Sequence, residues 1–177
     1  RQPLMVELGP GGVLSLTGSI DPGSFERAEA EIEARGEYVK QVSLNSPGGS
    51  VTDAVKIGAL MVVGEYTTMV EPGALCASSC PLILAGGKER LASKRSAIGV
   101  HQIYAMAKAS DLPTGLAGVG SAMSEAQRTT AVITRYLNTT TVDPAVWLYA
   151  LETPPTQLYY FSEDELRQYR LVTRFTD

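Results

Sequence analysis

A cluster of turn-forming residues between a strand pattern and a helix pattern sets the narrowest limit on the fold. Residues 38–44 predict a buried strand, Asn45-Ser46-Pro47-Gly48-Gly49 predicts a turn, and residues 50–63 predict a helix. The same order begins earlier, where an alternating strand at residues 13–17 is followed by a turn and a helix over residues 24–35. Because strands joined by helices return parallel to one another through right-handed crossovers, this order predicts an α/β fold with a mostly parallel sheet and flanking helices.

The rest of the chain continues this pattern without a repeat, so we expect residues 1–177 to form a single domain. A short buried helix is predicted over residues 78–85 and a strand over residues 97–100. The Ala-, Gly- and Ser-rich stretch from about 104 to 123 predicts a loop or lid, and residues 124–138 predict a long helix. In folds of this class, functional sites gather at the carboxyl ends of the strands.

Composition and charge exclude several kinds of function. The net charge is −4 and the 15 Lys and Arg residues are scattered, which argues against a nucleic-acid partner. Two cysteines are too few thiols for a structural zinc site unaided, and the single histidine, His101, excludes a multi-histidine centre, so we predict no metal and no cofactor. The longest apolar stretch, residues 57–63, is far shorter than a membrane span. Since the sequence starts at Arg1, we expect a processed or trimmed chain whose signal or anchor, if any, lies outside it.

Two adjacent glycines, Gly48 and Gly49, lie where the predicted strand turns into the predicted helix. Because they have no Cβ, their backbone N–H groups can approach a ligand closely, which is how an oxyanion hole is commonly built. The simpler interpretation is a tight strand-to-helix turn without a ligand. This short motif taken alone leaves both interpretations open.

A serine and a histidine stand at two further element ends. Ser78 precedes the apolar run Leu82-Ile83-Leu84-Ala85, where it could act as a nucleophile while the next N–H faces a developing oxyanion. A serine in such a place is more commonly a helix cap. His101 follows the strand pattern at residues 97–100, and a lone histidine in such a place is usually structural or simply exposed. The combination of the glycines, the serine and the histidine favours catalysis.

Together these motifs resemble the proteolytic subunit of the Clp protease and its relatives. The resemblance rests on residues 44–51, on Ala77-Ser78, on Val100-His101-Gln102 and on the tail from Phe161 to Val172. It extends over residues 13–172 and implies a Clp/crotonase-type spiral of strand-turn-helix units that acts as a serine peptidase. The Cys-Ala-Ser-x-Cys step is similar to that of an exported branch of the family, which implies a periplasmic or otherwise exported protein.

The resemblance also implies roles for individual residues. Ser78 matches the nucleophile and His101 matches the general base that removes its proton. Gly49 and Ser79 match the two N–H donors of the oxyanion hole. Gly48 lies beside them in the turn that would bind the substrate.

The acid that orients the histidine in the family has no counterpart here, since its position is occupied by Leu158. Glu152 is the first candidate to replace it and Asp143 the next, because both lie in the stretch before Tyr159. If neither carboxylate reaches His101, a neutral polar group or a backbone carbonyl must hold its tautomer, and the enzyme would be slow.

Two cysteines, Cys76 and Cys80, flank Ser78 four residues apart. Across one helical turn their Cα atoms would lie about 6 Å apart, which is within the range for a disulfide although its geometry would be strained. A redox-sensitive disulfide and a pair of buried small side chains are both consistent with this spacing.

The leading prediction is hydrolysis of peptide bonds through an acyl-enzyme on Ser78, with a peptide or protein substrate added as a strand beside Gly48 and Gly49. A first alternative is a catalytically weak or inactive member that binds peptides or a partner, because the aspartate is missing. A second is crotonase-type acyl-CoA chemistry, which relies on glutamates.

Relatives assemble into rings through the helix equivalent to residues 124–137, which implies a homo-oligomer. Neither the identity of the substrate nor the need for an unfoldase partner can be read from these residues.

Overall fold

The computed structural model describes residues 1–103 and 116–177. In these ranges the chain forms two sheets with helices packed against them. The strands are β1 (Met5–Leu8), β2 (Val13–Thr17), β3 (Gln41–Asn45), β4 (Thr68–Val70), β5 (Leu75–Ala77), β6 (Arg90–Ala92), β7 (Ala97–Val100), β8 (Tyr159–Tyr160) and β9 (Arg174–Phe175). The helices are α1 (Ser24–Arg35), α2 (Val51–Gly64), α3 (Cys80–Ala85), α4 (Leu116–Leu137), α5 (Leu148–Glu152) and α6 (Glu163–Gln168).

The two sheets differ in size and meet near the end of β3. The larger sheet has the order β1-β2-β3-β4-β6-β9 and is parallel apart from β1, which pairs antiparallel with β2. The smaller sheet has the order β5-β7-β8, in which β5 and β7 are parallel and β8 is antiparallel to β7. A bridge between Ser46 and Cys76 joins the end of β3 to β5. The predicted α/β fold with a mostly parallel sheet and flanking helices is therefore confirmed.

The hydrophobic core holds the turn between β3 and α2 in place. Leu14 and Leu16 of β2 and Leu44 of β3 are buried, and Ile57 and Met61 contribute successive turns of α2 to the same core. Each such side chain stabilises the fold by roughly 1.5–3 kcal/mol through burial. Both ends of the glycine-containing turn are thus attached to rigid elements.

The long helix differs from the prediction at its start. Helix α4 includes residues 116–123, which therefore belong to the helix and not to the predicted loop or lid, whereas the sequence predicts a start at residue 124. No proline follows Pro113 in this stretch, and its alanines and leucine favour a helix although each glycine costs about 1 kcal/mol. The first part of the predicted lid, residues 104–115, lies outside the described residues.

A helix that crosses a bilayer needs about 20 consecutive, predominantly apolar residues. Among the helices of residues 1–103 and 116–177, none combines the length and the apolar character needed to span a membrane.

Candidate active site

Ser78 lies in the turn between β5 and α3. Its φ of 61° is in the left-handed region, which is unusual for a residue other than glycine. Such a conformation costs on the order of 1–3 kcal/mol and persists only where the surrounding structure holds it. Here the Ser78 N–H donates to the carbonyl of Gly99 at 3.0 Å, and Ser79 forms the N-cap of α3. Ser78 therefore stands just before the helix and outside the helical run predicted from residue 78.

Ser78 and His101 are brought together by the pairing of β5 with β7. Ala77 and Gly99 are register partners in this parallel pair, so the residues that follow the two strands emerge at the same edge of the sheet. The Oγ of Ser78 lies 2.8 Å from Nε2 of His101. Two residues that are 23 positions apart in the chain thus form a hydrogen-bonded pair at the carboxyl ends of neighbouring strands.

The other imidazole nitrogen of His101 contacts the main chain. Nδ1 lies 2.9 Å from the carbonyl oxygen of Gln157. Because a carbonyl can only accept, Nδ1 carries the proton and Nε2 is left as the acceptor for the Ser78 hydroxyl. This is the tautomer that general-base catalysis on a serine requires.

The segment that provides this carbonyl is attached to the residue after His101. The N–H of Gln102 donates to the carbonyl of Thr153 at 2.8 Å, and its side-chain amide donates to the carbonyl of Leu151 at 2.9 Å. Beyond Gln157, Tyr159 of β8 pairs with Val100 of β7. Sequence reasoning included Gln102 only as part of the motif and missed its contact with Leu151. It missed Gln157 altogether, since a contact through a main-chain oxygen has no residue signature.

The two candidate acids lie elsewhere. Asp143 accepts the N–H of Ala145 at 2.9 Å and caps the turn that precedes α5. Glu152 is exposed at the end of α5. Within the described part of the chain neither carboxylate is hydrogen-bonded to His101. A role for Glu152 or Asp143 in orienting the imidazole has no support in this geometry, whereas the backbone-carbonyl alternative does.

Gly48 and Gly49 lie against the nucleophile segment. A Cβ on Gly48 would lie 2.6 Å from the Cβ of Ser78 and 3.0 Å from the nitrogen of Ser79, so only glycine allows this approach. The Gly49 N–H donates to Oγ of Ser79 at 2.9 Å, and the Gly48 N–H donates to Oγ of Ser46 at 3.1 Å. The Ser79 N–H has no acceptor among the described residues. One predicted oxyanion donor is therefore available, and the other, Gly49, is bonded to the Ser79 hydroxyl.

Cys76 and Cys80 form a disulfide around the nucleophile. Cys76 belongs to β5 and Cys80 is the first residue of α3, and their Cα atoms are 5.2 Å apart. Both residues are fully buried. The bond encloses Ser78 in a loop of five residues.

An aromatic cluster supports the strand beside Gln157. Tyr149 stacks on Tyr159 with ring centroids 4.8 Å apart, and Phe161 packs edge-on against both rings. The Tyr159 hydroxyl donates to Glu165 at 2.6 Å, and this hydrogen bond, aided by desolvation, raises the pKa of Tyr159 above its ordinary value. The contact attaches β8 to α6.

Comparison with known proteins gives a family match. The sequence model of the Clp protease family matches residues 33–146. No curated protein matches the chain. The matched region covers more than half of the chain and includes Gly49, Ser78 and His101. The chain therefore belongs to the Clp protease family.

Proposed function

We propose that this protein is a serine peptidase that cleaves peptide bonds through an acyl-enzyme on Ser78. The observation that carries the proposal is the 2.8 Å contact between Ser78 Oγ and His101 Nε2, with Nδ1 of the same ring on a carbonyl. Members of the Clp protease family act on peptide substrates, which gives the nucleophile a substrate class.

The proposed first step is attack on the substrate carbonyl. His101 takes the proton of Ser78 on Nε2 while Oγ forms the new bond to carbon. The Ser79 N–H, which follows the nucleophile directly, donates to the oxyanion that develops. The protonated imidazole then gives its proton to the leaving amine, and water hydrolyses the ester in the reverse sequence of proton transfers.

The missing carboxylate sets an upper limit on the expected rate. A carbonyl dipole holds the tautomer of His101 as an aspartate would, but it stabilises the imidazolium less than a full negative charge does. The Gly49 N–H must in addition leave Ser79 Oγ before it can donate to the oxyanion. We therefore expect a slow hydrolase compared with enzymes that have a complete triad.

We further propose that an extended peptide lies beside Gly48 and Gly49 and that the chain forms a homo-oligomer through α4. Members of the family usually form oligomers. Much of the described surface of α4 is exposed, including Val119 and Met123.

A periplasmic or otherwise exported location is supported by the Cys76–Cys80 disulfide, because disulfides persist mainly in oxidising compartments.

A fluorophosphonate probe tests the proposal directly, since it labels only an activated serine. We expect mass spectrometry to locate the probe on Ser78 of the wild-type chain. Labelling should be absent in Ser78→Ala and reduced by about 1,000-fold in His101→Ala. Full labelling of the His101→Ala variant would exclude His101 as the base.

A second candidate function is a catalytically silent member that binds peptides. It is favoured by the engaged Gly49 N–H and by the carbonyl in place of a carboxylate. If it is correct, wild-type Ser78 will not react with the probe, yet extended peptides will still bind. The labelling experiment therefore separates the two candidates.

A further inference from the structure

The Cys76–Cys80 disulfide closes a loop around Ser78, which has a strained backbone conformation. Cys76 lies in β5 and Cys80 lies in α3, so the disulfide joins the strand before Ser78 to the helix after it. Ser78 is the central residue of the enclosed loop and has a φ of 61°. A left-handed serine needs its neighbours on both sides to be fixed, and the disulfide fixes both to each other.

Few other interactions could hold Ser78 in its left-handed conformation. Helix α3 has only six residues, with Pro81 in its first turn, and so short a helix has little stability of its own. On the strand side, β5 has three residues and is held by β7 and by the bridge to Ser46. Between these elements the Ser78 N–H donates to the carbonyl of Gly99, and the Ser79 hydroxyl is hydrogen-bonded to the N–H and the carbonyl of Gly49 at 2.9 Å and 3.2 Å.

We propose that the Cys76–Cys80 disulfide is a positioning element for Ser78, and that its reduction converts the hydrolase into a slow form. This inference rests on the proposed function. Reduction by a dithiol transfers two electrons and two protons: the sulfur–sulfur bond breaks, two thiols form on Cys76 and Cys80, and the dithiol becomes a cyclic disulfide. The loop is then free to leave the left-handed conformation, and Ser78 Oγ moves away from His101.

Burial of both cysteines adds a kinetic expectation. Neither sulfur is open to solvent, so a thiolate reaches the bond only when the start of α3 opens. Reduction should therefore be slow in the folded protein and faster wherever that segment is loosened.

The test measures fluorophosphonate labelling of Ser78 in the full chain before and after reduction with dithiothreitol, with thiols counted by mass spectrometry. We expect the maximal labelling rate constant to fall by about tenfold or more, while the probe concentration at half-saturation stays the same. A purely structural bond would lower the fraction of reactive protein and leave the rate constant of the remainder unchanged. Reoxidation with oxidised dithiothreitol should restore the rate.

The Cys76→Ala/Cys80→Ala variant provides a second measurement in the absence of any reductant. It should show the same loss of rate with native circular dichroism and a cooperative thermal transition. An unchanged rate constant in the reduced wild-type chain, with both thiols counted as free, would overturn the inference. So would global unfolding on reduction, because the bond would then maintain the fold as a whole.

Hydrogen exchange distinguishes failure of this inference from failure of the proposed function. If oxidised wild-type protein is not labelled at all, the peptidase proposal fails. The positioning role is then decided by the Ser78 amide, which should exchange at least about tenfold faster after reduction. Equal protection of that amide in both redox states would contradict the role whether or not the protein is an enzyme.

Discussion

The two hydrogen bonds of His101 depend on different kinds of structure. On the Nε2 side, Ser78 is placed by the register of two buried parallel strands and enclosed by a disulfide. On the Nδ1 side, the Gln157 carbonyl belongs to an exposed segment that is attached by a few hydrogen bonds. A shift in the first region removes the nucleophile, whereas a shift in the second only loosens the imidazole. The nucleophile side should therefore be much less tolerant of substitution than the orienting side.

Gly48→Ala should have the largest effect, because it acts on the nucleophile side. The new Cβ would lie 2.6 Å from the Cβ of Ser78 and 2.7 Å from the carbonyl of Ala77, at a φ of 98°. We expect fluorophosphonate labelling to fall by about 100-fold and the free energy of unfolding to fall by about 2–3 kcal/mol. Labelling kinetics and chemical denaturation measure the two quantities.

Gly73→Ala is the matched control for this change. Gly73 also has a positive φ, of 77°, but a Cβ there would meet nothing within 4 Å. It should lose about 1 kcal/mol of stability from the backbone alone and retain its labelling rate. Equal losses of labelling in the two variants would show that strain, and not contact with Ser78, causes the effect.

Ser79→Ala should change the labelling rate in the opposite direction. Removing Oγ releases the Gly49 N–H from its 2.9 Å hydrogen bond, and the N–H of residue 79 itself is retained. With a second donor free for the oxyanion, we expect labelling of Ser78 to become about tenfold faster. Ser46→Ala is the control, since it releases the Gly48 N–H instead and should give no increase. A slower Ser79→Ala variant would indicate that the hydroxyl holds the glycine turn in its working position.

The nucleophile side could be predicted because residue types and their order mark the ends of elements, and the resemblance to the Clp protease family implies a role for each. Two glycines after a strand, a serine before an apolar helix and a histidine after a strand each mark the end of an element. A parallel α/β fold brings such ends to one edge. The structure places Ser78 and His101 together at that edge, 2.8 Å apart.

The orienting side was not predictable for a physical reason. Any residue can offer a carbonyl, so nothing at position 157 distinguishes Gln157 as the partner of His101. The search for an acid led to Glu152 and Asp143, whereas the main chain already satisfies Nδ1. The contact of Ser79 with Gly49, 30 positions away, was equally hidden, because it depends on how closely two turns approach.

Gln102→Ala should have a moderate effect through the orienting side. It removes the 2.9 Å hydrogen bond to the carbonyl of Leu151 and leaves the main-chain bond of residue 102 to Thr153 intact. We expect labelling of Ser78 to become about threefold slower, because the segment around Gln157 moves more freely. Gln157→Ala is the control and should have no effect, since the carbonyl belongs to the main chain. A strong loss in Gln157→Ala would mean that its side chain orients His101.

Tyr159→Phe should have the smallest effect and an identifiable pH dependence. Burial opposes the ionisation of Glu165, but hydrogen bonds from Ser162 and Tyr159 outweigh it and lower the pKa of this carboxyl in the folded state. A lowered pKa contributes stability above the unfolded value of about 4.3, and that contribution is lost as the pH falls through the folded value. Tyr159→Phe should therefore destabilise the protein by about 1 kcal/mol at neutral pH and by less near pH 3, as measured by thermal unfolding. Its labelling rate should change less than twofold, since β8 keeps its pairing with β7. A difference between the variant and the wild type that grows on acidification would contradict this account of Glu165.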